Sequence, residues 1–232
     1  MPPDAPAAEL PVTAPATVLF DLDNTLTDHD EAFRRWATEF SVRSGIPELE
    51  LHLAERWYAG RRHAFFTSLK TSFGLDASVA ALHTQYRRRS AELVPHRPRL
   101  CAAIMALAEA DWRLGVVTNG DPTTQRLKLR TSRLEEYFST VVVSGAYGLR
   151  KPDPELFRLA LGDLRTQSAV VVGDDLYTDV AGGRACGLTT VWVTNGRLRQ
   201  AHDPTPHQAV RTVLDAVHWL RAHDDVLATA PA

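Results

Sequence analysis

Short apolar runs alternate with longer amphipathic stretches along most of the chain. Thr17–Phe20, Leu114–Val117, Val141–Val143, Ala169–Val172 and Thr189–Val193 are each a few residues long and rich in Val. Runs this short, apolar at successive positions, predict strands buried on both faces of a parallel sheet. Between them, Leu100–Ala110, Thr124–Phe138, Pro154–Leu161 and Asp179–Cys186 carry apolar residues at helical spacing. Gln208–Leu220, apolar at 210, 213, 214, 217 and 220, predicts a closing helix. From about residue 98 onward the alternation is that of a doubly wound α/β domain.

The stretch from 28 to 97 breaks the pattern. It contains no convincing strand and predicts helices over Glu31–Ser44, Pro47–Tyr58, His63–Phe73 and Ala77–Leu93, after which "PHRPR" at 95–99 returns the chain to the core pattern. The expected organisation is a Rossmann-like α/β core over 17–27 and 98–222, with an all-helical insertion over 28–97 placed just after the first strand. The first sixteen residues, "MPPDAPAAELPVTAPA", lack the basic and apolar segments of a signal peptide and read as a disordered tail, 1–16. A C-terminal tail is expected over 223–232.

In an open parallel sheet, ligands bind outside the carboxyl ends of the strands, so the residues ending each run carry the chemistry. The first run leads into "DLDNTLTDHDE": Asp21 and Asp23 directly follow Phe20, with Thr25 and Thr27 behind. Strand side chains alternate faces, so positions 21 and 23 are expected on one side. Two like charges there are costly unless a cation or a proton sits between them. The second run ends in Thr118-Asn119-Gly120, and the fourth in Gly173-Asp174-Asp175, with Asp179 five residues past Asp174. Lys151 follows the third run, ahead of the next helix. Each piece alone has a plainer reading as a turn, a helix cap or a surface lysine. Their joint arrival at predicted strand ends favours one site.

Composition narrows the partners. With 232 residues, 44% of them apolar, and a formal net charge of −2, the chain is long enough for a substantial core and carries no bias toward nucleic acid or anionic membrane. Lys70, Lys128 and Lys151 are the only lysines among many arginines, which makes any well-placed lysine noticeable. Cys101 and Cys186 lie in no redox or metal motif, and no stretch is long and apolar enough to span a bilayer. A cytoplasmic monomer or homodimer without nucleic-acid or membrane partners is expected.

Asp21, Asp23 and Asp174, with Asp175 or Asp179, make an oxygen-only ligand set, the preference of Mg²⁺, and no His or Cys cluster competes for a softer metal. Lys151 and the Thr118 hydroxyl offer donors to phosphoryl oxygens, with Asn119 beside them. An aspartate can attack phosphorus to form an aspartyl phosphate, while a second carboxylic acid protonates the leaving oxygen and later activates water. A calcium loop fails on Leu26 and Ala32 at its sixth and twelfth positions, and no Walker phosphate loop is present. The order of acids, Thr and Lys also differs from that of a phospho-acceptor receiver domain.

"DLDNTLTD", "VVTNG", "KPDPELF" and "GDDLYTD" resemble, in order, the four motifs of the haloacid dehalogenase-like (HAD) hydrolase superfamily. The resemblance spans nearly all of 17–220. The insertion resembles the helical cap of the subgroup containing phosphoglycolate phosphatase and several 5′-nucleotidases. It implies Asp21 as nucleophile and Asp23 as general acid/base, with the Asp23 backbone carbonyl also on Mg²⁺. It implies that Thr118 and Lys151 hold the phosphoryl group, that Asp174 ligates Mg²⁺, and that Asp179 acts through a bound water or on Lys151. Asp175 stands where relatives often carry Ser, Thr or Asn.

The dehalogenases lack the second acid, so Asp23 favours phosphate-ester hydrolysis. The implied substrate is a small soluble phosphomonoester: a nucleotide, phosphoglycolate or a sugar phosphate. A sugar-phosphate mutase and a non-catalytic binding protein are the alternatives. The cap is expected to set substrate choice by closing the site. Its basic residues, Arg34, Arg35, Arg61, Arg62, His63 and Arg87–Arg89, read first as a solvated face, although "GRRH" at 60–63 sits where it could reach a second anionic group. Trp36, Trp57, Tyr58, Phe65 and Phe66 read as cap core, Lys70 as an exposed helix residue and Thr194–Gly196, a second "TNG", as a structural turn.

Overall fold

A computed structural model describes residues 16–57, 61–162 and 169–223. Apart from Ala16 and His223, the two expected tails lie outside the described residues, as does Tyr58.

The six described strands form one parallel sheet: β1 (Thr17–Phe20), β2 (Arg113–Thr118), β3 (Thr140–Val143), β4 (Ala169–Gly173), β5 (Thr189–Val193) and β6 (Gln208–Val210), in the order β3-β2-β1-β4-β5-β6. The chain steps outward from β1 to β2 and β3, then returns to its other side with β4. β1 is therefore the switch point of a Rossmann-like doubly wound sheet, and the crevice at its carboxyl end is flanked by β2 and β4.

Alternation along the strands feeds two cores. Val18, Phe20, Val170 and Val172 face one side, with Leu100, Ile104 and Leu107 of α5 (Pro98–Glu109) and Val217 and Leu220 of α9 (Val213–Ala222). Leu19, Val117 and Val171 face the other, with Leu156 and Phe157 of α7 (Pro154–Leu161). Burial on both faces explains why these strands read as unbroken apolar runs.

Four helices follow β1 before the chain returns to the core: α1 (His29–Ser44), α2 (Glu48–Trp57), α3 (Arg62–Phe73) and α4 (Val79–Glu92). Trp36, Phe65, Phe66 and Leu69 are fully buried in a separate apolar cluster there, and Trp36 stacks on Phe40 at 4.8 Å. These aromatics therefore hold the helices together. Lys70 donates to the Leu75 carbonyl at 2.5 Å and helps close the end of α3. Arg87 of α4 reaches Asp121 at 3.5 Å and ties the helical unit to the core.

Three sequence expectations are corrected. The helix foreseen over Gln208–Leu220 is two elements: Gln208–Val210 pairs with β5 as an edge strand, and the helix starts at Val213 behind a Thr212–Asp215 capping box. The helix foreseen over Thr124–Phe138 stops at Thr131. This α6 (Pro122–Thr131) ends where Arg133 turns left-handed at φ 59°, and a 3₁₀ turn over Glu135–Tyr137 follows. The helix foreseen over Asp179–Cys186 begins earlier, as a π-helical turn over Leu176–Val180 leading into α8 (Ala181–Ala185), because the Asp175 carboxylate caps the Tyr177 and Thr178 amides.

Candidate active site

β1 ends at Phe20, and Asp21 is the first residue beyond it, pinned by its own amide to the Val172 carbonyl at 2.8 Å. The following turn is anchored by Leu22 and Leu26, both fully buried, and closed by the Thr27 amide on the Leu22 carbonyl at 2.9 Å. Asn24 takes the left-handed conformation, φ 59°, at its tip. Among the described residues the two carboxylates meet different lysines.

Asp21 joins a buried cluster. Lys151 Nζ lies 2.5 Å from Asp21 Oδ1, 2.6 Å from Asp179 Oδ1 and 2.9 Å from the Val117 carbonyl. Lys151 is itself placed by Asn119, whose side chain accepts from the Lys151 amide at 2.8 Å and donates to its carbonyl at 3.2 Å. That exchange occupies Asn119, so its amide serves the lysine's backbone in this arrangement. Gly173 makes room for Asp179: a Cβ at 173 would strike the Asp179 carboxylate. Asp175 donates its amide to Asp179 Oδ2 at 3.0 Å and spends its own carboxylate on the helix cap.

Asp21, Asp174 and Asp179 each present a carboxylate oxygen, all within 4.8 Å of one another. Among the described residues, Lys151 is the one ammonium on this group, bonded to Asp21 and Asp179. Burial, with Asp179 and Asp174 adding to it against the pull of Lys151, pushes the Asp21 carboxyl up to about 8. Burial and Asp179 likewise push Asp174 up to about 6, although Arg197 opposes them by donating to Asp174 Oδ2 at 2.8 Å. Burial alone would lower the Lys151 ammonium, but the two carboxylates override it and raise it. The group is short of positive charge and has only oxygen donors, which fits a hard divalent cation such as Mg²⁺. A cavity of about 400 Å³, lined in part by Asn24, Arg34, Arg97 and Arg197, opens beside Asp174.

Asp23 stands apart with a lysine of its own. Lys128 Nζ lies 2.7 Å from both Asp23 oxygens, and the Gln125 amide donates to Asp23 Oδ2 at 3.3 Å and to the Thr118 hydroxyl at 2.8 Å. Burial favours a neutral Asp23, but the Lys128 ammonium overrides it and holds the carboxyl well below the usual range. The sequence reading expects a cation or a proton between the two acids; here a lysine from α6 balances Asp23, and its carboxylate is not one of the three clustered oxygens.

The strand-end rule brought Asp21, Thr118, Lys151, Asp174 and Asp179 to one rim. It missed Gln125, Lys128, His29 and Arg197. Gln125 and Lys128 lie three residues apart on one face of α6, directly behind the Thr118–Gly120 turn, and the scarcity of lysine was the available signal. Arg197 rides on the 194–196 turn, which is also held to the first turn by Asn195 Nδ2 on the Asn24 carbonyl at 2.8 Å. Of the cap arginines, Arg34 and Arg35 pair with Glu31 on the surface, whereas Arg62 points inward, 2.9 Å from Glu55 and 3.2 Å from His29 Nε2.

A switch-point carboxylate on a buried lysine, with two further acids beside it and a separate acid two residues on, makes an acidic, oxygen-lined site at the carboxyl end of the sheet. The chain belongs to the haloacid dehalogenase-like hydrolase family, which is matched over residues 15–187. It is 30% identical to the glyceraldehyde 3-phosphate phosphatase of Pyrococcus abyssi over 194 residues, covering 78% of this chain and 82% of that one. It is 31% identical to the N-acylneuraminate-9-phosphatase of Homo sapiens over 237 residues, covering 89% and 94%. The HAD-hydrolase YfnB of Bacillus subtilis, solved bound to magnesium, superposes with a TM-score of 0.75 at 25% identity, covering 89% of this chain and 98% of that one. The chain is a phosphoric monoester hydrolase of this family.

Proposed function

We propose that the chain is a Mg²⁺-dependent phosphatase acting on a small soluble phosphomonoester, through an aspartyl phosphate formed on Asp21. The observation that carries this reading is the unequal division of charge: Asp21 and Asp179 share Lys151 and Asp174 has only the half-exposed Arg197, while Asp23 has Lys128 to itself. Asp21 and Asp174 would hold the metal, with the Asp23 carbonyl as the resemblance implies and Asp179 holding Lys151. Bound there, Mg²⁺ would supply charge that offsets the acids and lets an anionic phosphate approach them.

The chain's own groups divide the remaining work. Lys151 and the Thr118 hydroxyl orient Asp21 and take phosphoryl oxygens. A phosphorus–oxygen bond to Asp21 forms as the bond to the alcohol breaks, and Asp23 delivers a proton to the departing oxygen. In the second step Asp23, again a carboxylate, takes a proton from the water that attacks the aspartyl phosphate. Lys128 favours that carboxylate form. The helical cap would exclude bulk water and choose among nucleotides, phosphoglycolate and sugar phosphates. We read the enzyme as a cytoplasmic monomer or homodimer without nucleic-acid or membrane partners; no described helix is long and apolar enough to cross a membrane.

Free-phosphate release from a panel of phosphomonoesters, with and without Mg²⁺ and with Asp21→Asn, tests the reading. Metal-dependent release that Asp21→Asn abolishes is expected, and the preferred ester names the substrate. Release that persists in Asp21→Asn would overturn the assignment of the nucleophile.

A further inference from the structure

His29, the first residue of α1, brings the cap within reach of Asp23. Its ring is fixed by Arg62, whose Nη2 lies 3.2 Å from His29 Nε2. A guanidinium has five donors and no acceptor, so Nε2 must accept, and the ring is neutral with its proton on Nδ1. Burial, opposed by Asp23 and reinforced by Lys128 and Arg62, lowers the His29 pKa and agrees with a neutral ring. Arg62 is itself held by Glu55 at 2.9 Å and lies over the Tyr86 and Phe33 rings, at 5.3 and 5.8 Å from their centroids. The tautomer is thus set by a side chain that has little freedom to leave.

Among the described residues the Nδ1–H that results has no acceptor. Nδ1 is buried and without a hydrogen-bond partner, and it sits 4.0 Å from Asp23 Oδ1, too far for a direct bond. A buried donor left unpaired is costly, and a bound group would remove that cost. A separation of 4.0 Å suits one intervening oxygen, because two contacts of about 2.7–2.9 Å span it with an angle near 90° at that oxygen. The other donors on Asp23 come from α6 and from Thr27 in its own turn, which leaves the gap toward His29 without a donor on Asp23.

We propose that His29 Nδ1–H and Asp23 grip the same oxygen, the one that leaves phosphorus. This inference rests on the phosphatase reading and adds a residue to its first step. As the bond from phosphorus to the alcohol oxygen breaks and the bond to an Asp21 oxygen forms, the alcohol oxygen receives the proton that Asp23 took up with the substrate. His29 keeps its own proton and donates a hydrogen bond to the negative charge growing on that oxygen. After the alcohol departs, the same donor holds the incoming water by a lone pair, leaving its proton directed at Asp23.

A hydrogen bond to the leaving oxygen matters most when the alcohol is a poor leaving group. The test compares kcat/KM for an alkyl phosphate and for p-nitrophenyl phosphate in the wild type, His29→Phe and His29→Asn, with thermal melts of each. His29→Phe is expected to lose about 100-fold on the alkyl ester and about tenfold less than that on the activated aryl ester. His29→Asn, whose amide can donate from nearly the same place, is expected to recover the wild-type ratio between the two esters. If His29→Phe does not fold, His29→Ala takes its place in the comparison. Equal losses on both esters, or no loss on either, would overturn the proposal while leaving the phosphatase reading intact. A wild type that releases phosphate from neither ester would remove both.

Discussion

Asp21 and Asp23 are two residues apart, carry the same side chain and each meet a buried lysine, yet their surroundings drive them in opposite directions. Lys151 is divided between Asp21 and Asp179, with Asp174 close by, and the Asp21 carboxyl is pushed up to about 8. Lys128 meets both oxygens of Asp23 alone, and that carboxyl is held low. The difference lies in how many acids share a cation. The first group is short of positive charge and suits a divalent ion, whereas the second has its countercharge and is held as a carboxylate. One short turn can therefore carry two carboxylates, each with its own lysine, and on the proposed reading one serves as nucleophile and the other as acid/base.

Removing the shared lysine should have the largest effect. Lys151→Met leaves Asp21 and Asp179 buried without their ammonium, and is expected to cost about 3–5 kcal/mol in urea unfolding and to cut phosphate release by about 10³-fold or more. Lys128→Met should be milder, because Asp23 is partly exposed. A stability loss of about 1–3 kcal/mol and a 10- to 100-fold drop in kcat/KM are expected. Because the folded Asp23 carboxyl lies below its unfolded value, its ionised form stabilises the fold above that value, and the contribution disappears on acidification. Lys128→Met removes that contribution, so the acid-unfolding midpoint should rise.

The pH dependence of the metal-free protein sharpens the contrast. Asp21 behaves oppositely, its folded carboxyl raised from 3.8 to about 8. Across that window the folded state binds more protons than the unfolded one, so stability should fall as pH increases from about 4 to 8. Asp21→Asn should flatten the slope, and added Mg²⁺ should stabilise the wild type more at pH 8 than at pH 5. Melting curves over that range, with and without the metal, read both effects. At the small end, Arg88→Ala breaks an exposed pair with Glu92 and should leave Tm within about a degree.

These contrasts also mark what the sequence makes legible. Asp21, Thr118 and Asp174 fall at strand ends, with Lys151 and Asp179 in the segments that follow β3 and β4, and in a parallel sheet strand ends converge by topology alone. Lys128 and Gln125 sit inside a helix, so their partners depend on how α6 docks, which no local pattern encodes. His29 reaches Asp23 only because α1 starts directly beyond the first turn with the cap folded over it. Arg197 hangs on a turn whose "TNG" reads as mere punctuation. The edge strand Gln208–Val210 was hidden because three residues carry too little alternation to separate a strand from the onset of the next helix. The partner of Asp23 was hidden for a simple reason: Lys128 comes from inside α6 and not from a strand end.

Mass spectrometry of acid-quenched protein after brief mixing with p-nitrophenyl phosphate and Mg²⁺ tests the division of labour between the two acids most directly. Asp23→Asn, which keeps the nucleophile but cannot activate water, should accumulate a phosphoryl group on Asp21, and Asp21→Asn should carry none. Phosphorylated Asp21→Asn protein, or a phosphoryl group mapped to Asp23 in the wild type, would contradict the account.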